Sequence, residues 1–183
     1  MEAASLKPLI LMMAVVGLGL AAVVEPRAED SMQVPPQAPA CQSAEHRQFD
    51  FWIGRWDVFL PNGTRAGTNS IEQKLGGCVL HEHWEGAGAS RGESFNLYRR
   101  DRARWHQSWV DNSGTLLLIE GGLESGSMVL RGTTTNPEGR TVSNRITWTP
   151  HTADSVQQLW ETSVDDGATW STAFDGRYVR VGR

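Results

Sequence analysis

From residue 49 onward, short runs rich in Val, Ile, Thr, Trp and Phe alternate with turn-forming residues, and no stretch carries helical periodicity. The spacing predicts strands near 52–60, 67–75, 77–86, 92–99, 104–111, 115–121, 126–134, 140–149, 156–164 and 170–181. Between them stand Pro61-Asn62-Gly63, Asn112-Ser113-Gly114, Ser125-Gly126, Pro137-Glu138-Gly139 and Asp165-Asp166-Gly167, residues that favour tight and left-handed turn conformations. Strands joined by such short turns pair with their neighbours in sequence. A long antiparallel meander has two exposed edges, and closing on itself removes them. The expected fold is therefore all-β, an antiparallel up-and-down barrel of about ten strands. Residues 42–50 are read as a short helical turn plugging one end.

The 183 residues suit one such domain plus an export segment. After Lys7 and Pro8, Leu9 to Val24 is apolar apart from glycines, the pattern of a signal peptide over residues 1–24, or of an N-terminal anchor if it stays uncleaved. Residues 25–40, rich in Pro, Ala and acids, read as a disordered spacer, and 41–183 as the barrel domain. Export implies the periplasm or the exterior, with the membrane touched only through an uncleaved signal segment. There the two cysteines, Cys41 and Cys78, are biased toward one disulfide. The net charge is −4 and basic residues form no stripe, which argues against a nucleic-acid partner. Arg99, Arg100, Arg102 and Arg104 read as a solvated turn between strands.

The most distinctive segment is Phe49-Asp50-Phe51-Trp52-Ile53-Gly54-Arg55-Trp56-Asp57-Val58. Its Gly54-x-Trp56 resembles the opening signature of lipocalins and other calycins. Gly76-Gly77-Cys78, Trp105-His106-Gln107, Arg145-Ile146-Thr147-Trp148 and Phe174-Asp175-Gly176-x-Tyr178 follow in order. Together these motifs resemble the domain of unknown function 1579 family, over roughly residues 41–181. The resemblance implies a lipocalin-like barrel in exported bacterial proteins and no agreed activity. It also implies a structural set at the barrel base: Gly54, Trp56 and an arginine over the Trp56 ring, either Arg177 or Arg180.

Strand side chains alternate between two faces, so the bulkier apolar set marks the inner one. With Trp56 inside, Trp52 and Val58 follow. Leu80 and Trp84 bring Glu82 inward, Trp105 and Trp109 bring Gln107, Ile146 and Trp148 bring Asn144, and Trp160 brings Gln158. Trp170, Phe174 and Tyr178 share a face of the last strand. The candidate ligand-binding lining is thus Glu82, Trp84, Gln107, Trp109, Asn144, Trp148, Gln158, Trp160 and Tyr178. Aromatic walls broken by a few polar groups suit a small, partly apolar or amphipathic molecule.

Three functional readings follow. The first is an exported small-molecule binding or carrier protein. The second is an enzyme using the same cavity, with Glu82 as general acid or base, or with a divalent metal on His81 and His83. Parity places His81, His83 and Glu85 opposite Leu80 and Trp84, hence outside, which favours a polar outer face over a metal site. No G-x-S-x-G elbow is present. Nitrobindin-like haem proteins share a comparable opening, but they supply an axial His near the chain end, whereas the last here, His151, is read in a turn; no cofactor is expected. The third reading is a structural envelope module with a filled barrel. A homodimer through an exposed edge strand is compatible with each.

Overall fold

A computed structural model describes residues 40–182. The predicted signal peptide (1–24) and all but the last residue of the predicted spacer (25–40) lie outside these residues. Ten antiparallel strands form a closed barrel: β1 (Gly54–Phe59), β2 (Arg65–Lys74), β3 (Val79–Gly86), β4 (Arg91–Arg99), β5 (Arg104–Asp111), β6 (Leu116–Glu124), β7 (Ser127–Thr135), β8 (Thr141–Thr152), β9 (Ser155–Ser163) and β10 (Ser171–Arg180). Each strand pairs with its neighbours in sequence, and β1 closes the barrel on β10, with Trp56 opposite Arg180 and Val58 opposite Tyr178. The ten predicted strands are all present. Among the described residues, closure leaves no whole strand as a free edge. β8 extends to Thr152, so the exposed His151 lies on a strand and not in a turn.

The β6–β7 ladder is incomplete. Glu120–Glu124 pair with Ser127–Arg131, whereas above them Leu116–Ile119 pair only with β5 and Gly132–Thr135 only with β8. The two strands therefore splay apart toward one end of the barrel and leave a cleft in its wall.

The other end is closed by the chain itself. The predicted helical plug is two short 3-10 turns, Ala44–Arg47 and Asp50–Trp52. Trp52 sits in the second turn rather than on β1, yet it is fully buried. Phe49 stacks on Trp52 with ring centroids 4.9 Å apart, and Trp148 of β8 meets both at 5.1 and 5.4 Å. Trp105 meets Phe49 edge-on at 5.6 Å. Such pairs add about 0.5–1.5 kcal/mol each to the burial of the rings. A disulfide joins Cys41 to Cys78, tying the start of the plug to the turn before β3. Across a separation of 37 residues this restricts the unfolded chain by roughly 4 kcal/mol in the chain-entropy account.

The structural set at the base is present, with Arg180 in the arginine position. Its guanidinium carbon lies 4.1 Å from the centre of the Trp56 ring, while Arg177 lies over Phe59 instead. Arg180 Nη1 donates to the Ile53 carbonyl (2.8 Å) and Nε to that of Ala153 (3.0 Å). The Trp56 indole donates to the Trp52 carbonyl at 2.9 Å, so plug, β1 and β10 are joined at one point. Gly54 is what makes this possible. Its φ is +144°, and a Cβ there would stand 2.1 Å from Arg180 Nη1. Arg180→Ala should lower stability by about 2–4 kcal/mol, through the lost charge-assisted hydrogen bonds and ring contact. Gly54→Ala should also destabilise, but markedly less in the Arg180→Ala background, where the clash is gone. Urea unfolding of the single and double variants checks this; additive losses would contradict the shared contact.

Candidate functional site

The barrel interior is layered. Above the aromatic plug comes a polar belt from β2, β3, β4, β5 and β9, and above that a second aromatic layer. A cavity of about 510 Å³ occupies the space from the belt upward. Leu60, Gly88, Ser90 and Asp111, at strand ends and turns on the side away from the plug, form its mouth.

Its walls are Trp84, Trp109, Trp160 and Phe174, with Leu117 and Ile146 between them. Trp84 and Phe174 meet edge-on at 6.1 Å. The Trp109 ring lies across β4 at Gly92, where a Cβ would come within 2.3 Å of it, so Gly92 is required for that ring position. Trp160 is held by its indole, which donates to Asn144 Oδ1 at 3.0 Å. The floor is Glu82, Gln107, Gln158 and Tyr178.

Of the predicted lining, Glu82, Trp84, Gln107, Trp109, Gln158, Trp160 and Tyr178 surround this space together. Trp148 does not; it is fully buried below, against Phe49 and Trp52. Asn144 borders the β6–β7 cleft instead, with Trp160 forming a wall of both spaces. Trp170 is on the outer side, with the Arg145 guanidinium 4.1 Å from its ring centre. A bulge at Ala173 shifts the β9–β10 register between Thr172 and Phe174, which reverses the parity that would have put Trp170 beside Phe174.

Sequence reasoning missed Asn69, Ser94 and Asn96, all buried in the polar belt. Asn69 shares the inner face of β2 with Ile71, a usable signal. On β4 the bulky residue misleads, because Phe95 points outward and the small polar Ser94 and Asn96 point in.

These residues form one hydrogen-bonded chain. Gln107 Nε2 donates to Asn96 Oδ1 (2.7 Å), Asn96 Nδ2 to Ser94 Oγ (2.8 Å), and Ser94 Oγ to Glu82 Oε2 (2.6 Å). On the other side Asn69 Nδ2 donates to Glu82 Oε1 (2.6 Å) and to the Tyr178 oxygen (3.1 Å), and Tyr178 donates to Gln158 Oε1. Both carboxylate oxygens of Glu82 therefore accept. Burial raises the Glu82 pKa above the ordinary carboxylate range, opposed by the bonds from Ser94 and Asn69 and by the neighbouring His81. Burial, with the charge of Glu82, pushes the Tyr178 phenol well up, so it remains a donor.

The outer face carries the other candidates. His81 Nε2 lies 3.0 Å from Glu93 Oε2, and His83 contacts both Glu93 (3.3 Å) and Glu85 (3.4 Å). His106 is separated from them by β4. Among the described residues, no group of three or more His, Cys, Asp or Glu side chains is arranged to hold a metal ion, and no histidine lines the cavity. In the arginine run, Arg99 and Arg102 are ion-paired to Glu120 at 2.9 and 3.2 Å.

Fold and site together define a closed ten-strand antiparallel barrel of the lipocalin-like type, plugged at one end and hollow at the other. Comparison with known proteins finds no matching family model and no matching curated protein.

Because the folded-state pKa of Glu82 is raised, the native state holds its proton more tightly than the unfolded chain does. Stability is then lost as pH rises from the ordinary carboxylate range through that raised value, and the penalty is full above it. Glu82→Gln removes this dependence. Its stability relative to the parent should rise with pH across that interval, on top of a constant offset from the altered hydrogen bonds. Urea melts of both proteins over a pH series measure it, and a flat or falling difference would contradict it.

Proposed function

We propose that the chain is an exported binding or carrier protein for a small, partly apolar molecule, of the calycin type that its motifs resemble. The observation that carries this reading is the cavity itself: about 510 Å³, walled by aromatic rings and floored by oriented polar groups. Ligand pockets are commonly of roughly 300–1,000 Å³, apolar with a few convergent polar side chains. The open space above Glu82 speaks against a filled structural barrel. The Cys41–Cys78 disulfide fits an oxidising compartment, which supports export. For the enzymatic alternative, the layout offers less: both Glu82 oxygens are held by neutral donors, and the histidines of β3 lie outside.

N-Phenylnaphthylamine, a neutral dye that brightens in apolar surroundings, tests the reading. The protein should bind it saturably and one to one. Trp109→Ala, which removes a wall ring, should weaken binding about tenfold while leaving the protein folded. Trp148→Ala should act on stability instead, by about 3–5 kcal/mol, because that ring fills the plug. Absence of saturable binding, or unchanged affinity in folded Trp109→Ala, would overturn the proposal.

A further inference from the structure

Glu82 is the one buried carboxylate among the described residues, and its hydrogen bonds come from neutral groups, Ser94 and Asn69. No basic side chain among the described residues bonds to it: His81, beside it on β3, is turned to Glu93 at 3.0 Å, and Arg180 is held at the base by Trp56, backbone carbonyls and Asp154. Arg65, the basic residue that borders the cavity, is at the mouth and bonded to Asp57 at 2.6 Å. A buried charge without a counter-charge is unfavourable unless something supplies one.

The direction of the hydrogen bonds says what that something is. From Gln107 through Asn96 and Ser94, each proton points toward Glu82, and Asn69 points at it from the other side. The Tyr178 proton goes to Gln158. The donors bonded around Glu82, those of Ser94, Asn69, Asn96 and Gln107, are thus committed, whereas the Gln158 amide N–H of the floor has no acceptor among the described residues. Asn69 Oδ1 is buried with no donor, beside the same carboxylate. Of the indole N–H groups without an acceptor among the described residues, those of Trp52 and Trp148 lie in the plug, and that of Trp84 belongs to a cavity wall. Above Glu82, the faces and edges of Trp84, Trp109, Trp160 and Phe174 enclose the space, and aromatic faces attract cations as well as apolar groups.

We propose that the cavity is built for an organic cation: an ammonium group carried on an aromatic or otherwise apolar body. The ammonium donates to Glu82 at the floor, and the body lies among the four aromatic walls. This inference rests on the ligand-binding reading above and names its ligand class. An anion would instead meet the Glu82 carboxylate at the floor.

Competition against bound N-phenylnaphthylamine tests it with three small probes of matched size at neutral pH. Phenethylamine is cationic, phenethyl alcohol neutral and phenylacetate anionic. The amine should displace the dye at about tenfold lower concentration than either of the others. In Glu82→Gln, checked for folding by circular dichroism and read against that variant's own dye affinity, the amine's advantage over phenethyl alcohol should vanish. Phenethyl alcohol or phenylacetate competing as well as the amine in the unaltered protein would overturn the cation assignment, whether or not the variant folds, and leave the cavity reading standing. An undiminished amine advantage in folded Glu82→Gln would do the same. If the dye itself does not bind, the cavity reading fails first. Direct calorimetric titration with phenethylamine then decides the cation assignment, and absence of heat overturns that too.

Discussion

A barrel of ten strands can enclose space that its inward side chains do not fill, and a defined cavity at one end then depends on what closes the other. Here the plug of Phe49 and Trp52 against Trp148 and Trp105 does this. It is pinned covalently by Cys41–Cys78 and electrostatically by Arg180, which spans the Trp56 ring and the Ile53 carbonyl. The signature glycine follows from that arrangement: at Gly54 a side chain would occupy the place of the guanidinium. A motif that reads in the sequence as a family mark is, in physical terms, the closure of the barrel base.

With the base sealed, the polar belt becomes the floor of the site. A carboxylate in such a place is tolerated because its acceptors are met by aligned neutral donors, each polarised by the one before. The floor thus holds a carboxylate met by neutral donors, and the aromatic layer above supplies area for an apolar body. The cavity and the network are thus one construction, in which β2 to β5 supply most of the polar floor, Gln158 and Tyr178 of β9 and β10 complete it, and the four wall rings come from β3, β5, β9 and β10.

Much of this was legible in residue order because two periodicities are strong. Turn residues at regular intervals set the strands, and alternation around Leu80 and Trp84, or Trp105 and Trp109, sorted Glu82 and Gln107 inward. What alternation does not encode is height along the barrel. Trp148 and Ile146 share a face of β8, yet one lies in the plug and the other in the cavity wall. Nor does bulk always mark the inner face: Phe95 is half exposed, while Ser94 and Asn96 beside it hold the network together. A single bulged residue, Ala173, was enough to turn Trp170 outward to Arg145. These are failures of a local rule at places where packing of distant strands decides.

The central claim is that one set of tryptophans surrounds a ligand space and another set only holds the fold. The indole proton resonances of the protein, followed by nuclear magnetic resonance during titration with N-phenylnaphthylamine, test it directly. The signals of Trp84, Trp109 and Trp160 should move together and saturate, and those of Trp52, Trp56 and Trp148 should stay where they are. Indole signals that do not move at all, or that move chiefly for the plug residues, would contradict the account.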